Sequence, residues 1–293
     1  MISPEYPIFP YPTISIKNGS TPHYVRTAMT RTLLSEAEGY ALLAAATIPV
    51  PDYKVVTDKD SAARAADAMG YPVVMKVISP DIVHKSDAGG VVTGISSAAE
   101  ARSAFDRISR QVNTHSPGAT IAGIIVEQQK APGLELIIGG KTDPTFGKVI
   151  TAGIGGKMVE LLKDVAIRIL PVDEPECYAM IRELRGYPLI AGYRDEPGRD
   201  QEALVRIIGA AAEMFLSDPL ISEFDINPLI LYETGGCAVD ARVYREDAPA
   251  PEETAPIREM PADLLDIHSI AVVGASQDPN KVGYAICRNL LTF

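Results

Sequence analysis

The sequence predicts an α/β fold, because short apolar strands alternate along the chain with amphipathic helices. The run YPVVMKVIS at residues 71–79 is apolar at almost every position, which is typical of a strand buried on both faces. Residues 58–70, just before it, have apolar positions at helical spacing and end at a glycine, a common helix stop. A serine followed three residues later by a glutamate, Ser35 and Glu38, forms a capping box that predicts the start of an earlier helix.

The same signals place the remaining elements in order. Residues 1–32 contain prolines and tyrosines without sustained periodicity and predict an extended N-terminal arm. A second capping box, Ser97 and Glu100, opens another helix, and Asp173 and Asp200 can cap two later ones. Further strands are predicted at residues 53–57, 90–95, 121–128, 134–141, 147–154 and 165–172, and a hairpin with a Glu-Thr-Gly-Gly turn at residues 221–244.

The C-terminal part of the sequence has a different character from the α/β domain at residues 33–245. Residues 246–262 contain four prolines and five acidic residues and predict a solvated linker. Residues 263–293 read as the first strand, glycine turn and helix of a Rossmann-like domain. A segment of that size is shorter than the ~40 residues usually needed to fold alone. We therefore expect either the truncated start of a domain or a segment that docks elsewhere.

Composition narrows the classes of function. With 293 residues the chain is long enough for about two domains. The net charge of −11 argues against a nucleic-acid partner, since such proteins usually carry a basic footprint. The three cysteines show no CxxC pair, which fits neither a disulfide framework nor a zinc site. No run approaches the length of a membrane span and no secretory signal is visible, so a cytoplasmic protein is expected.

The segment from Lys76 to Gly90 combines features that suit a phosphate ligand. A lysine inside an apolar strand is costly unless its charge has a partner. Gly89 and Gly90 allow close approach of the backbone, and their successive amides can form an anion-binding nest. Each feature alone has an ordinary explanation, a snorkelling lysine or a tight turn. Together they favour a phosphate site.

His84 lies between the lysine and the glycines. An isolated loop histidine is most often a solvated surface residue. Here its position suits attack on a terminal phosphate, because a neutral imidazole can take up and release a phosphoryl group.

Oxygen ligands for a cation are predicted later in the chain. Glu223, Asp225 and Asn227 alternate along one predicted strand and therefore share a face. Asp240 interrupts the apolar strand across the hairpin and requires either a metal cation or an ion pair with Arg242 or Arg245. Mg²⁺ commonly combines one or two such carboxylates with substrate phosphates.

Glu127 and Glu135 also interrupt apolar strands. They could form salt bridges, or they could hold the hydroxyl groups and amine of a nucleoside.

Four ordered segments together resemble the ATP-grasp domain of ADP-forming (NDP-forming) acyl-CoA synthetases, within the succinyl-CoA synthetase superfamily. They are VVMKVISPDIVHKSDAGGV, VEQQKAPGLELIIGGKTDPTFG, AGIGGKMVELLKDVAIRILPV and ISEFDINPLI, and the resemblance spans about residues 34–243. The segment IAVVGASQDPNKVGYAICRNL resembles the opening of the family's CoA-binding domain, in which Gly274 and Ser276 would lie near CoA. The resemblance implies two ATP-grasp subdomains that clamp a nucleotide between mixed sheets.

The resemblance also implies roles for individual residues. Lys76 matches a lysine that contacts nucleotide phosphates, with Gly89 and Gly90 beside it, and His84 matches a second phosphoryl acceptor. The nucleoside contacts and the magnesium ligands match, respectively, Glu127 and Glu135, and Asn227 and Asp240.

The implied reaction converts acyl-CoA, ADP and phosphate to acid, CoA and ATP, with acetate as the expected acid and Mg²⁺ as cofactor. It needs a CoA-ligase domain or subunit that carries a further phosphohistidine, in an oligomeric assembly. That histidine and the acyl-binding residues are absent from this sequence. Two other hypotheses stay open: a regulatory ATP-grasp-like module of a protein acetyltransferase, and an inactive truncated product.

Overall fold

The structure is a computed structural model that describes residues 31–82, 84–156, 164–194 and 196–246, together with Arg288. The chain divides into two compact units, Met1–Ala248 and Pro249–Phe293. The elements given below all belong to the first unit. The predicted Rossmann-like start, including Gly274 and Ser276, lies outside the described residues, as does nearly all of the predicted N-terminal arm.

Strands and helices alternate through the described ranges, which confirms the α/β prediction. The strands are β1 (Arg31–Leu33), β2 (Tyr53–Val56), β3 (Val73–Ile78), β4 (Val91–Ile95), β5 (Gly123–Gln128), β6 (Leu134–Asp143), β7 (Gly147–Ile154), β8 (Val165–Ile169), β9 (Ile221–Leu231), β10 (Gly236–Ala238) and β11 (Ala241–Glu246). The helices are α1 (Glu36–Ala45), α2 (Lys59–Met69), α3 (Ala98–His115), α4 (Glu174–Glu183), α5 (Tyr187–Ala191) and α6 (Gln201–Ser217).

The strands form two sheets. The larger has the order β1-β11-β9-β6-β7-β8, with β10 also paired to β9, and the smaller has the order β2-β5-β3-β4. Every pairing between described strands is antiparallel, which corrects the expectation of mixed sheets. The direction of pairing depends on the connections between strands, so the apolar pattern of a single strand does not reveal it.

The two predicted capping boxes differ in detail. In α1 the box is complete, because the Ser35 hydroxyl accepts from the Glu38 amide and the Glu38 carboxylate accepts from the Ser35 amide. In α3 the Ser97 hydroxyl accepts from the Glu100 amide, but the Glu100 carboxylate accepts from Ser96 instead of Ser97. Both helices therefore begin where the sequence predicts, with one of the two boxes shifted by a residue.

The predicted hairpin at residues 221–244 is interrupted in its second half. Both β10 and β11 pair with β9, and Val239 and Asp240 form a break between them. Pro228 lies opposite this break and has no N–H to continue the ladder. The remaining contacts are Val239 N–H to Pro228 O at 3.1 Å and Asn227 N–H to Asp240 O at 3.2 Å. The apolar pattern predicted that Asp240 lies within a strand. It lies instead at a gap between two strands.

There are two hydrophobic cores, one for each sheet, and Ile78 and Ile125 of the smaller sheet pack into the core of the larger. Helices α2 and α3 cover the smaller sheet, where Val73, Met75 and Val77 of β3 point into the core. Helix α6 packs on the larger sheet, where Phe215 meets Phe224 edge-on with ring centroids 5.3 Å apart. The face of the smaller sheet that α2 and α3 leave uncovered meets the larger sheet across a cleft. No helix in the described ranges is long and apolar enough to cross a membrane.

Candidate nucleotide and phosphoryl-transfer site

Strand periodicity directs Lys76 and Glu127 into the cleft. Alternate residues of a strand face opposite sides, so Lys76 points away from the core that holds Met75 and Val77. On the neighbouring strand β5, Glu127 is paired with Val74, diagonal to Lys76 on the same face. Both side chains line a cavity of about 370 Å³ between the two sheets.

Lys76 is buried, with 8% of its surface exposed, and its charge is fully partnered. Its ammonium lies 2.8 Å from a carboxylate oxygen of Glu36 and 2.8 Å from one of Glu127. It also donates to the Val239 carbonyl, and the Tyr40 hydroxyl donates to Glu127 at 3.0 Å. These contacts within the protein therefore offset the free energy of desolvating the Lys76 ammonium.

The charges in this cluster shift one another's protonation. Burial disfavours the ionised form of Glu36, but Lys76 and Lys85 outweigh it and lower the pKa of that carboxyl. Burial also opposes ionisation of Lys76, and Glu36 and Glu127 reverse this and raise its pKa. For Glu127 burial dominates over the attraction of Lys76, so its pKa is raised. The structure thus favours a charged Lys76–Glu36 pair with Glu127 as the more readily protonated neighbour.

The loop after β3 brings His84 and Lys85 to the same cavity. His84 is exposed and lines the cavity together with Lys85. The Lys85 ammonium contacts the second carboxylate oxygen of Glu36 and lies 3.6 Å from Asp240 Oδ1. Lys76 and His84, both predicted from the sequence, therefore line the same cavity as Asp240, which lies across the cleft between the two sheets.

The two glycines of this loop are explained by packing. Gly89 has a positive φ of 67°, and its N–H donates to Ser86 O; the N–H of Gly90 donates to Lys85 O at 2.7 Å. A Cβ on Gly90 would lie 2.4 Å from Val77 Cγ1, so a side chain there does not fit. Both amides are used within the loop, which differs from the open anion nest expected from the sequence.

Asp240 lies at the other wall of the cleft, and Asn227, whose backbone N–H donates to Asp240 O, does not itself line the cavity. Asp240 lines the cavity, and its Oδ1 is buried without a hydrogen-bond partner. Asn227 is exposed beside it on β9, and its side chain is hydrogen-bonded to Asp225, whose pKa is raised by burial. Arg245, one alternative partner proposed for Asp240, instead pairs with Asp218.

The oxygen groups here fit Mg²⁺ chemistry. Among the described residues no group of three or more His, Cys, Asp or Glu side chains is arranged to hold a metal ion. An oxygen of Asp240 that accepts no hydrogen bond, with Asn227 adjacent in the chain fold, is a smaller set. Mg²⁺ is commonly bound by one or two carboxylates, with substrate phosphates and water completing its shell. The set therefore suits an ion that arrives with a nucleotide.

Glu135 stands apart from this group. It is exposed on β6 and does not line the cavity. It is paired across the strands with Ile230, which does line the cavity, so the two side chains share a face. Its carboxylate also lies against Gly156, the last described residue before residues 157–163.

Sequence reasoning missed Glu36 and Lys85 as members of the site. Glu36, 4% exposed, occupies the first turn of α1, where an acidic residue is ordinarily explained by the helix dipole. The only sequence signal for Glu36 was indirect. A buried Lys76 requires a carboxylate partner, but the sequence does not say which element supplies it. Lys85 directly follows His84 in the sequence, and no pattern singles it out.

The chain resembles known proteins over most of its length. The ATP-grasp domain family matches residues 26–244. The beta subunit of ADP-forming acetate–CoA ligase I from Pyrococcus furiosus is 43% identical over 210 residues, covering 72% of this chain and 90% of the relative. ADP-forming acetate–CoA ligase I from Archaeoglobus fulgidus is 40% identical over 71% of this chain, which spans only 30% of that longer relative.

Solved structures show the same likeness. Acetyl-coenzyme A synthetase 1 of Candidatus Korarchaeum cryptofilum, in complex with coenzyme A and Ca-AMPCP, has a TM-score of 0.71 at 37% identity. The match covers 73% of this chain and 93% of that one. Another structure of that protein holds Mg-AMPPCP with its phosphohistidine segment pointing towards the nucleotide-binding site, with a TM-score of 0.65, 34% identity and the same coverage.

The fold and the family match define a domain of the ATP-grasp class. The chain belongs to the ATP-grasp family and is homologous to the beta subunits of ADP-forming acetate–CoA ligases.

Proposed function

We propose that this chain is the nucleotide-binding and phosphoryl-transfer part of an ADP-forming acid–CoA ligase, with acetate as the acid. The observation that carries the proposal is the convergence of Lys76, His84, Glu127 and Asp240 on one cavity between the two sheets. The beta-subunit relatives support it, because this chain spans 90% of one and 93% of another.

The proposed reaction divides between two proteins or domains. In the partner CoA-ligase portion, acyl-CoA and phosphate give acyl phosphate and CoA. The acyl phosphate transfers its phosphoryl group to a histidine of that portion and leaves as the free acid. The phosphohistidine then delivers the group to this chain, where ADP becomes ATP. The proposal includes a cytoplasmic, oligomeric enzyme in which the nucleotide and the partner meet at this cleft.

In this chain His84 would act as the second acceptor. A ring nitrogen of the imidazole attacks phosphorus, and the bond from phosphorus to the partner's histidine breaks. The terminal oxygen of ADP then attacks the same phosphorus and the bond to His84 breaks. Lys76 and Lys85 line the same cavity and are the lysines closest to His84 in sequence. They would neutralise the charge on the transferred phosphoryl group.

The other contacts complete the proposal. Asn227 and Asp240 would hold Mg²⁺, which when bound neutralises phosphate oxygens and orients them. Glu127 and Glu135 would contact the nucleoside. Gly89 and Gly90 would shape the loop under the phosphates, and Gly274 and Ser276 would lie near CoA in the C-terminal segment.

Calorimetric titration of the full chain with ADP tests the nucleotide site. With Mg²⁺ present we expect saturable binding that Asp240→Ala weakens by about tenfold or more, equivalent to ~1.4 kcal/mol. With EDTA present, Asp240→Ala should bind ADP at least as tightly as the parent, because a negative charge has been removed from the cleft.

Asp106→Ala is the matched control, since Asp106 is half exposed on α3 and pairs only loosely with Lys59 at 3.6 Å. It should leave both titrations unchanged. Absence of binding by the parent at millimolar ADP and Mg²⁺ would contradict the proposed function.

A further inference from the structure

Glu36 links two lysines of the cleft, Lys76 and Lys85, through one carboxylate. One of its oxygens lies 2.8 Å from Lys76 Nζ, and the other contacts Lys85 Nζ. Its side chain is 1% exposed, and it begins α1, whereas the lysines come from β3 and from the loop that carries His84. A single buried group therefore connects the first helix to both of these lysines.

We propose that Glu36 is a positioning residue that keeps Lys85 from closing on Asp240, so that Asp240 retains an oxygen for a cation. This inference rests on the proposed function of the cleft. It assigns to Glu36 the separation of two competing cations, the ammonium of Lys85 and the divalent ion that accompanies the nucleotide.

The distances around Lys85 give the reason. Its ammonium is in direct contact with Glu36 but 3.6 Å from Asp240 Oδ1, too far for a hydrogen bond. That oxygen is buried and has no hydrogen-bond partner. Glu36 and Asp240 are the carboxylates that Lys85 reaches among the described residues. If Glu36 loses its charge, the ammonium is drawn to Asp240 and occupies the place of a cation ligand.

Lys76 responds differently to the same change. It keeps Glu127 at 2.8 Å and the Val239 carbonyl, so it stays partnered without Glu36. Removing the negative charge of Glu36 also makes the cleft more positive by one unit. A phosphate ligand without metal should then bind more tightly, while a free divalent cation should bind less tightly.

The test uses the full chain and two titrations, Mn²⁺ alone followed by electron paramagnetic resonance, and ADP with EDTA followed by calorimetry. We expect Glu36→Gln to weaken Mn²⁺ binding several-fold and to strengthen metal-free ADP binding. A merely structural role would weaken both. The loss of charge alone would also give opposite signs, so a double variant is needed to separate the repositioning of Lys85 from net charge. Glu38→Gln is the matched control, because Glu38 is exposed in the same helix turn and glutamine serves equally in a capping box. It should change neither titration.

A double variant isolates the part played by Lys85. Lys85→Met added to Glu36→Gln removes the competing ammonium and should restore Mn²⁺ binding. Lys54→Met, on the exposed surface of β2, restores the same net charge and should not restore it. If Glu36→Gln does not fold, Lys85→Met alone decides the question, and it should bind Mn²⁺ at least as tightly as the parent.

The outcomes separate the inference from the proposed function. A parent chain that binds neither Mn²⁺ nor ADP overturns the proposed function. A parent that binds both, with Glu36→Gln indistinguishable from Glu38→Gln, overturns the positioning role alone. Loss of Mn²⁺ binding in Lys85→Met also overturns it, because Lys85 would then support the cation site instead of competing with it.

Discussion

Buried charge at Lys76 shows how a single residue connects stability to function. Two carboxylates at 2.8 Å keep it ionised inside the protein. Breaking a buried pair by removing one partner typically costs about 3–5 kcal/mol, because the other charge is left uncompensated. The same lysine faces the cleft, so the arrangement that stabilises it also presents a cation to a ligand.

Gly90 allows a test of packing at the same scale. A methyl group there would lie 2.4 Å from Val77 Cγ1 and 3.0 Å from the Lys85 carbonyl. We expect Gly90→Ala to lower the free energy of unfolding by about 1–3 kcal/mol, as overpacking usually does. Denaturant unfolding followed by circular dichroism measures this.

Gly209→Ala is the comparison variant for that measurement. Gly209 lies within α6 and has open space where a Cβ would stand. Alanine is the better helix former, so the stability should rise by up to about 1 kcal/mol. If Gly90→Ala unfolds with the parent, the close packing of the loop on β3 is wrong.

At the scale of elements, Asp200 joins a helix to a hairpin. One carboxylate oxygen accepts from the Ala203 amide in the first turn of α6, and the other from the Gly235 amide in the turn after β9. These two hydrogen bonds lower the pKa of Asp200 below its ordinary value. The ionised carboxylate therefore stabilises the fold at pH values above the ordinary aspartate pKa. That contribution is lost as the pH falls through the lowered pKa.

Replacement of this residue should show that pH dependence. Asn at this position keeps one acceptor but places an NH₂ group against the Gly235 amide. We expect Asp200→Asn to destabilise the protein by about 1 kcal/mol at neutral pH, with the difference shrinking below pH ~4 as the parent is protonated.

Asp58→Asn is the control for Asp200→Asn. A single oxygen of Asp58 accepts from both Asp60 and Ser61 amides, and an asparagine can keep both bonds. Its effect should be smaller, and thermal unfolding across the pH range measures both variants. A difference for Asp200→Asn that is constant from pH 3 to 7 would contradict the account.

Local signals predicted most elements, whereas non-local contacts were the ones they missed. The caps at Ser35, Asp173 and Asp200 form as predicted, since each depends on residues within three positions. The break at Asp240 was not predicted, because its cause is Pro228 on the neighbouring strand. The antiparallel direction of the sheets was also not predicted, because it depends on how distant parts of the chain are connected.

At the scale of the whole molecule, the cleft arises because two separately packed sheets face each other. The smaller sheet supplies Lys76 and Glu127, and the larger sheet supplies Pro228, with Asp240 at the break between β10 and β11. Strand alternation explains why Lys76 and Glu127 share the face that lines the cleft, although the nearly continuous apolar run at residues 71–79 does not reveal which face that is. The role of Glu36 could not be predicted, since its two lysine partners lie 40 and 49 residues away in sequence.

The central claim is that this cleft transfers a phosphoryl group through His84. The most direct measurement is incubation of the full chain with γ-labelled ATP and magnesium, followed by separation of the labelled protein. We predict a phosphoenzyme that is acid-labile and base-stable, as phosphohistidine is. His84→Ala should abolish the label while nucleotide binding survives. His115→Ala, at the exposed end of α3, should label like the parent.

The measurement should be repeated with a CoA-ligase subunit from a related two-subunit enzyme. Label on His84→Ala equal to that of the parent in both settings, or label on Ser86 or Asp87, would contradict the claim.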